Sequence, residues 1–243
     1  MSAVLELPAT PPDSFTAAVA SRLGVRSTYR PWGLDIRTPS DGLDASRRWH
    51  LRMGRYERDE AEAALACFRP GVAILQAGGG LGVVASVLNR LLKPVDHLVL
   101  EGNDRVLPTL RENMRRNGCR NYTVENRVLC ACPGHPTDAP VLPWSPAWSV
   151  RSSASVAPRS TLREAAVTLP RPFNLLLDVE GCETSLLEPA FLRQTVDAIV
   201  LDLDPVEQDT GRVKGGTLEA LEEAGFRHAW ARGQVHGLVR RRA

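Results

Sequence analysis

Three carboxylates, Asp178, Glu180 and Glu183, follow directly on the apolar run 173–177. Acids at the end of a strand that opens into a helix have three chemical uses. They take a proton from a hydroxyl, they supply countercharge to a cationic ligand, and they cap the helix they precede. Asp178 stands at the strand tip and is expected to touch ligand or substrate. Glu180 is the candidate base, and Glu183, in the first helical turn, the candidate for orienting the substrate. A second constellation lies upstream, where "AILQAGGGLGVVASVL" (73–88) packs glycines between two apolar stretches. Glycine lets the backbone turn tightly and approach a ligand closely, and a helix starting near Val83 offers free N–H groups. Glu101 ends the next apolar run, 19 residues beyond Gly82, where an acid accepts hydrogen bonds from both ribose hydroxyls. Glycines and acid together read as a nucleoside site rather than as a flexible loop.

The spacing narrows the ligand. A dinucleotide fingerprint has the form G-x-G-x-x-G; counted from Gly78 its third glycine falls on Val83, and from Gly80 on Ala85. No G-K-[ST] ending is present, which excludes a P-loop. The frame Gly78-x-Gly80-x-Gly82 resembles instead the nucleoside loop of class I S-adenosylmethionine-dependent methyltransferases. Asp202 and Asp204, on a neighbouring run, would line the same cleft, and carboxylates from two strands permit a divalent ion. No histidine accompanies them at ligand spacing, and no metal is expected. His50 lies just before "LRMGRYE", while His228 and His236 fall in the terminal segment and are expected to pack or face solvent.

The elements that must carry these residues alternate regularly. Apolar runs at 72–75, 97–101, 122–129, 173–178 and 197–204 alternate with helical patterns at 83–92, 105–118, 182–192 and 217–226. Strands apolar throughout and separated by helices predict a mostly parallel sheet covered on both faces. After 226, two β-like runs flank Arg232–Gly233 with no room for a crossover, so that pair must be antiparallel. The expected fold is α/β, a Rossmann-like seven-stranded sheet closed by a C-terminal hairpin. Upstream, 13–24 reads as a helix, 25–42 as a hairpin or extended arm, and 56–68 as a further helix. Residues 1–50 are therefore an N-terminal extension and 51–243 the main domain. The interval 130–160 is rich in Pro and Ser, carries Trp144 and Trp148, and reads as an active-site cover.

Composition bounds the function. The chain has 243 residues and a formal net charge of +2, which gives no argument for nucleic acid as a partner. Five cysteines are scattered with no C-x-x-C pair, as for free thiols in a reducing cytosol. No signal peptide and no membrane-length apolar stretch is legible, so a cytoplasmic location is expected. The oligomeric state is not readable.

Six segments in order resemble the FkbM family of S-adenosylmethionine-dependent methyltransferases, over residues 50–230. They are "GRYERDE" (54–60), "ILQAGGGLG", "LEGNDRVLPTLRENMRRNG" with its paired Asn113 and Asn117, "STLREAA" (160–166), "LLLDVEGCETSLL" (175–187) and "TLEALEEAGF" (217–226). The fifth is similar to the family's D-x-E-G-x-E signature. The resemblance implies S-adenosyl-L-methionine as cofactor, held by Tyr56, Glu57, Gln76, Ala77, Gly78, Gly80, Gly82, Glu101, Gly102, Asn103 and Asp178. It implies methyl transfer to a hydroxyl of a small metabolite, sugar or natural product. Tyr56 and Glu57 would lie over the methionine end. Gln76 departs from the pattern, since many relatives carry Asp or Glu there, and Glu57 or Asp178 would then provide the countercharge. The competing readings are a non-catalytic cofactor-binding module of the same fold and a NAD-dependent oxidoreductase.

Overall fold

A computed structural model of the chain describes residues 28–38, 45–130, 157–179, 183–203 and 214–241. In chain order, β1 (Thr28–Tyr29) and β2 (Ile36–Arg37) form an antiparallel hairpin, followed by α1 (Ala45–Arg52) and α2 (Arg58–Cys67). Next come β3 (Ala73–Ala77), α3 (Val83–Leu92), β4 (His97–Glu101), α4 (Leu107–Arg116) and β5 (Tyr122–Asn126). The short β6 (Val128–Leu129) and β7 (Arg159–Ser160) pair in parallel and lead into α5 (Leu162–Ala165). The remainder is β8 (Phe173–Leu177), α6 (Glu183–Leu186), α7 (Pro189–Thr195), β9 (Val196–Asp202), α8 (Lys214–Glu223), β10 (Phe226–Arg232) and β11 (Val235–Arg240).

The main sheet has seven strands in the order β10-β11-β9-β8-β3-β4-β5. β3, β4, β5, β8 and β9 run parallel, and β11 pairs antiparallel with both β9 and β10. The seven-stranded, mostly parallel α/β sheet with its antiparallel closing hairpin is therefore as the apolar periodicity predicts. Burial on both faces is the reason β3 and β8 are apolar almost without a break. One face packs Leu75, Leu175, Phe173 and Phe191 together. The other packs Ile74, Leu176 and Val200 against α2 and α3, and Leu34 and Ile36 of the N-terminal segment join that layer. The extension is thus sewn into the core.

Three departures from expectation have a local cause. The helix expected over 56–68 starts at Arg58, because Glu57 takes a left-handed conformation with φ of 48°. The strand expected over 122–129 divides at Arg127, and its second part leaves the main sheet to pair with β7. The helix expected over 182–192 divides before Pro189, whose missing N–H suits the first position of a new helix. The segment "STLREA" forms a capping box, Thr161 and Glu164 satisfying each other's backbone N–H groups at the start of α5. The expected helix at 13–24 and the interval 131–156, with Trp144 and Trp148, lie outside the described residues.

Two buried features are unrelated to the strand ends that carry chemistry. His97 opens β4 at 0 % exposure with neither ring nitrogen hydrogen-bonded. Burial alone pushes its pKa down to about 3. Cys67, Cys119 and Cys130 form no disulfide, and burial pushes the Cys67 thiol up to about 11.

Candidate active site

Each glycine of the loop after β3 answers to a different neighbour. Gly78, Gly80 and Gly82 all have positive φ, at 91°, 47° and 78°. A Cβ on Gly78 would lie 1.9 Å from the carbonyl oxygen of Asp178, so the ends of β3 and β8 approach only because that atom is missing. At Gly79 and Gly82 the obstacle is Leu110 of α4, whose methyl carbons lie 2.7 Å from either Cβ position. Gly80 alone turns toward side chains with polar tips, Glu57 Oε1 at 3.1 Å and Tyr56 Oη at 3.8 Å from its Cβ position. The Gly78-x-Gly80-x-Gly82 frame is thus a backbone requirement, and Gly79 is a packing requirement that spacing did not reveal.

The loop is held shut by polar contacts. Glu101 Oε2 accepts from the backbone N–H of Gly79 at 3.1 Å and of Gly80 at 2.8 Å, while Oε1 accepts from Asn103 N–H at 2.8 Å. One carboxylate at the tip of β4 therefore gathers three backbone donors from two loops. Gly102 is tied in turn, its carbonyl accepting from Asn126 Nδ2 at 3.1 Å. Ala77 continues the ladder, accepting from Asp178 N–H at 3.0 Å. Gln76 is 1 % exposed; its Nε2 donates to the Gly78 carbonyl at 3.0 Å, and its Oε1 has no hydrogen-bond partner. An ionised carboxylate in its place would have no hydrogen to donate to that carbonyl, whereas the amide donates without a change of protonation state.

Tyr56 and Glu57 reach the loop from the other side. The left-handed turn at Glu57 directs its carboxyl to the Tyr56 hydroxyl and to the backbone N–H of Val84, at the start of α3. Burial, with the nearby charges of Glu60 and Glu101, pushes the Glu57 carboxyl up to about 8. Burial and the adjacent Glu57 and Asp178 also hold the Tyr56 hydroxyl well above the usual phenol range. The His50 ring is exposed; its carbonyl serves instead, accepting from Arg55 and Tyr56 N–H at 2.8 and 3.2 Å. His228 and His236 meet each other on the exposed hairpin at 3.1 Å, far in sequence from these loops and as expected for surface residues.

Beside Glu57 opens a cleft of about 380 Å³ between the start of α2, the end of β9 and the β10–β11 turn. Glu60 and Asp202 hydrogen-bond to one another across it, and burial with the neighbouring acids pushes Glu60 up to about 7. Arg232 forms one wall, held by Asp59 at 3.0 Å and Glu62 at 2.6 Å. The structure thus gathers Tyr56, Glu57, Gln76, Gly78, Gly80, Gly82, Glu101, Asn103 and Asp178 around one loop. It adds Glu60, Arg232 and Leu110, which motif reasoning missed. Their only sequence signal is Glu60 three residues after Glu57, one helical turn along the same face. Glu180 and Asp204 lie outside the described residues, and Glu183 is described only as the first residue of α6. Among the described residues no group of three or more His, Cys, Asp or Glu has the geometry to hold a metal ion. None of their helices is long and apolar enough to cross a membrane.

No family profile matches the chain, and no curated protein matches it. Solved structures to which it is similar include precorrin-6y C5,15-methyltransferase from Geobacter metallireducens, at 16% identity over 76% of this chain and 88% of that one, TM-score 0.47. Another is a TehB-like SAM-dependent methyltransferase from Corynebacterium glutamicum, at 14% identity over 81% and 96%, TM-score 0.45. A third is an rRNA methylase from Streptococcus thermophilus, at 10% identity over 76% and 95%, TM-score 0.44.

Proposed function

We propose that the protein is an S-adenosylmethionine-dependent methyltransferase that methylates a hydroxyl on a small metabolite, sugar or natural product. The observation that carries this reading is the closure of the glycine loop on Glu101 at the carboxyl ends of β3 and β4. The same loop stands beside the point between β3 and β8 where the strand order reverses, β4 and β5 being laid down on one side and β9 on the other, and open α/β sheets bind ligands at such a point. The residues present fit a cationic nucleoside. The Gln76 Oε1 is a buried acceptor with no donor, Glu101 and Asp178 supply negative charge around it, and the Glu57 carboxyl, held protonated up to about 8 by burial, would ionise more readily beside a bound cation. Glu101 and Asn103 would hold the ribose side. Tyr56, Glu57, Gln76 and Asp178 would hold the amino-acid side, with Ala77, Gly78, Gly82 and Gly102 shaping the backbone between.

When bound, the cofactor supplies an electrophilic methyl group on a sulfonium; the protein contributes alignment, exclusion of water and removal of a proton. The cleft next to Glu57 receives the acceptor. A hydroxyl nucleophile must lose its proton, and a base is most effective when its pKa lies near the working pH. The Glu60–Asp202 pair meets that condition, with Glu60 at about 7, and joins Glu180 as a candidate for this role, with Asp178 to contact ligand or substrate and Glu183 to orient the substrate. This reading places 51–243 as one methyltransferase domain of the FkbM kind, acting in the cytoplasm, with 1–50 as its extension.

Calorimetry with S-adenosylmethionine, S-adenosylhomocysteine and NAD is the first test. The expected result is micromolar binding of the first two, none of NAD, and loss of binding in Asp178→Ala. A screen of hydroxylated metabolites, with RNA oligonucleotides as the competing class, for release of S-adenosylhomocysteine then tests the acceptor. Turnover on RNA alone would overturn the small-molecule part of the reading.

A further inference from the structure

Asn113, on α4, and Asn117, which caps its C-terminus, stand four residues apart, and Asp35 and Arg37 two residues apart in the N-terminal segment. Four helical residues rise about 6 Å, and two extended residues span about 6.6 Å. The two spacings match, and the hydrogen bonds use the match. Asn113 Oδ1 accepts from Arg37 N–H at 2.8 Å and its Nδ2 donates to the Arg37 carbonyl at 2.9 Å. Asn117 repeats the pattern on Asp35, at 2.8 and 3.1 Å. Two side-chain amides thus take the part that a neighbouring strand's peptide groups play in a sheet, and β2 docks on a helix as if on a sheet edge. Arg116 adds an ion pair to Asp35.

The second Nδ2 hydrogen separates the two asparagines. That of Asn117 goes to the Asn113 carbonyl, within the helix, at 2.8 Å. That of Asn113 goes to the Leu81 carbonyl, inside the glycine loop, at 2.8 Å. Asn113 is fully buried, so neither Leu81 nor Arg37 finds water in its place if the amide is lost. The same helix packs Leu110 under Gly79 and Gly82. Further along the chain, Tyr56 and Glu57 meet the loop at Gly80.

We propose that Asn113 is a positioning residue that couples docking of the N-terminal strand to the conformation of the glycine loop, making that strand a working part of the nucleoside site. A ligand held by the loop tightens the strand, and a docked strand tightens the ligand, since coupling between two sites is reciprocal. The ligand half of this statement rests on the proposed function above; the loop half does not.

Amide hydrogen exchange on the full chain tests it, with Asn117→Ala as the internal control. Asn117→Ala is expected to speed exchange at Asp35 at least tenfold and leave Gly79, Gly80 and Gly82 within twofold of the parent. Asn113→Ala is expected to speed Arg37 and the three glycines together. Asn113→Asp keeps the acceptor for Arg37 N–H and loses both donations, so it should free the loop more than the strand; it carries the test if the alanine variant does not fold. Calorimetry with S-adenosylhomocysteine should show at least tenfold weaker binding in Asn113→Asp and less than twofold change in Asn117→Ala. Loop amides unmoved in the Asn113 variants, or moved equally by Asn117→Ala, would overturn the coupling. Failure of S-adenosylhomocysteine to bind the parent would overturn the proposed function instead, and the exchange comparison would still decide the coupling.

Discussion

The carbonyl oxygen of Asp178 occupies the space where Gly78 would carry a Cβ, 1.9 Å from that position. The tips of β3 and β8 touch there, through backbone rather than side chains, and Asp178 N–H donates to Ala77 at 3.0 Å in the same contact. The candidate ligand carboxylate is held in place by the absence of an atom on the loop it faces.

Gly78→Ala must therefore push two strands apart, whereas Gly80→Ala meets only the end of a side chain. The Gly80 substitution is expected to cost about 1–2 kcal/mol, the usual penalty for a side chain in left-handed backbone. The Gly78 substitution should cost more than twice that, or prevent folding. Urea denaturation of the two variants side by side measures the difference, and equal costs would show that the strand tips yield freely.

Glu101→Gln preserves size and replaces one acceptor oxygen by an amino group facing backbone donors. Either Asn103 or the Gly79–Gly80 pair loses its acceptor. An unsatisfied buried donor costs about 1–3 kcal/mol. The expected outcome is a lower melting temperature and roughly 100-fold weaker calorimetric binding of S-adenosylhomocysteine, each 1.4 kcal/mol being a factor of ten. Unchanged affinity would place the ribose elsewhere.

Glu57→Gln should stabilise the protein while weakening ligand binding. The folded carboxyl titrates near 8 against an ordinary 4.5. Above pH 4.5 the unfolded chain therefore releases a proton that the folded one retains, and stability falls as pH rises until about 8. Glutamine removes that loss. Its stability advantage over the parent should be small at pH 5 and grow toward pH 8, read from melting curves across that range.

His97 works in the opposite pH window. Its folded pKa of about 3 lies below the ordinary 6.5. Below pH 6.5 the unfolded chain binds a proton that the folded one refuses, so stability is lost as pH falls toward 3. His97→Leu should cut the stability lost between pH 7 and pH 5 by about 2 kcal/mol. A parallel pair of pH–stability curves would mean that the ring accepts a proton while still folded.

Much of the scaffold was legible in the order of residues because its determinants are local. Strands buried on both faces leave continuous apolar runs, the Arg232–Gly233 turn is too short for a crossover, and a left-handed turn calls for glycine at 78, 80 and 82. For the same reason Glu101 and Asp178 could be picked out as acids at strand tips. The start of α2 was misjudged by two residues, since Glu57 adopts left-handed backbone that no local rule assigns to glutamate; it is compensated by contacts to Tyr56 and Val84.

Pairing between distant positions emerges only from the folded packing. Glu60 finds Asp202, Leu110 fills the space under Gly79 and Gly82, and Asn113 joins Arg37 to Leu81. The physical reason is that propensity and periodicity act over a few residues, while the pKa of an acid, the need for a glycine or the use of an amide depends on which remote atom packs against it. The sheet, the loop and the two strand-tip acids follow from the order of residues; packing sets what each glycine is for and which carboxyls share a cleft.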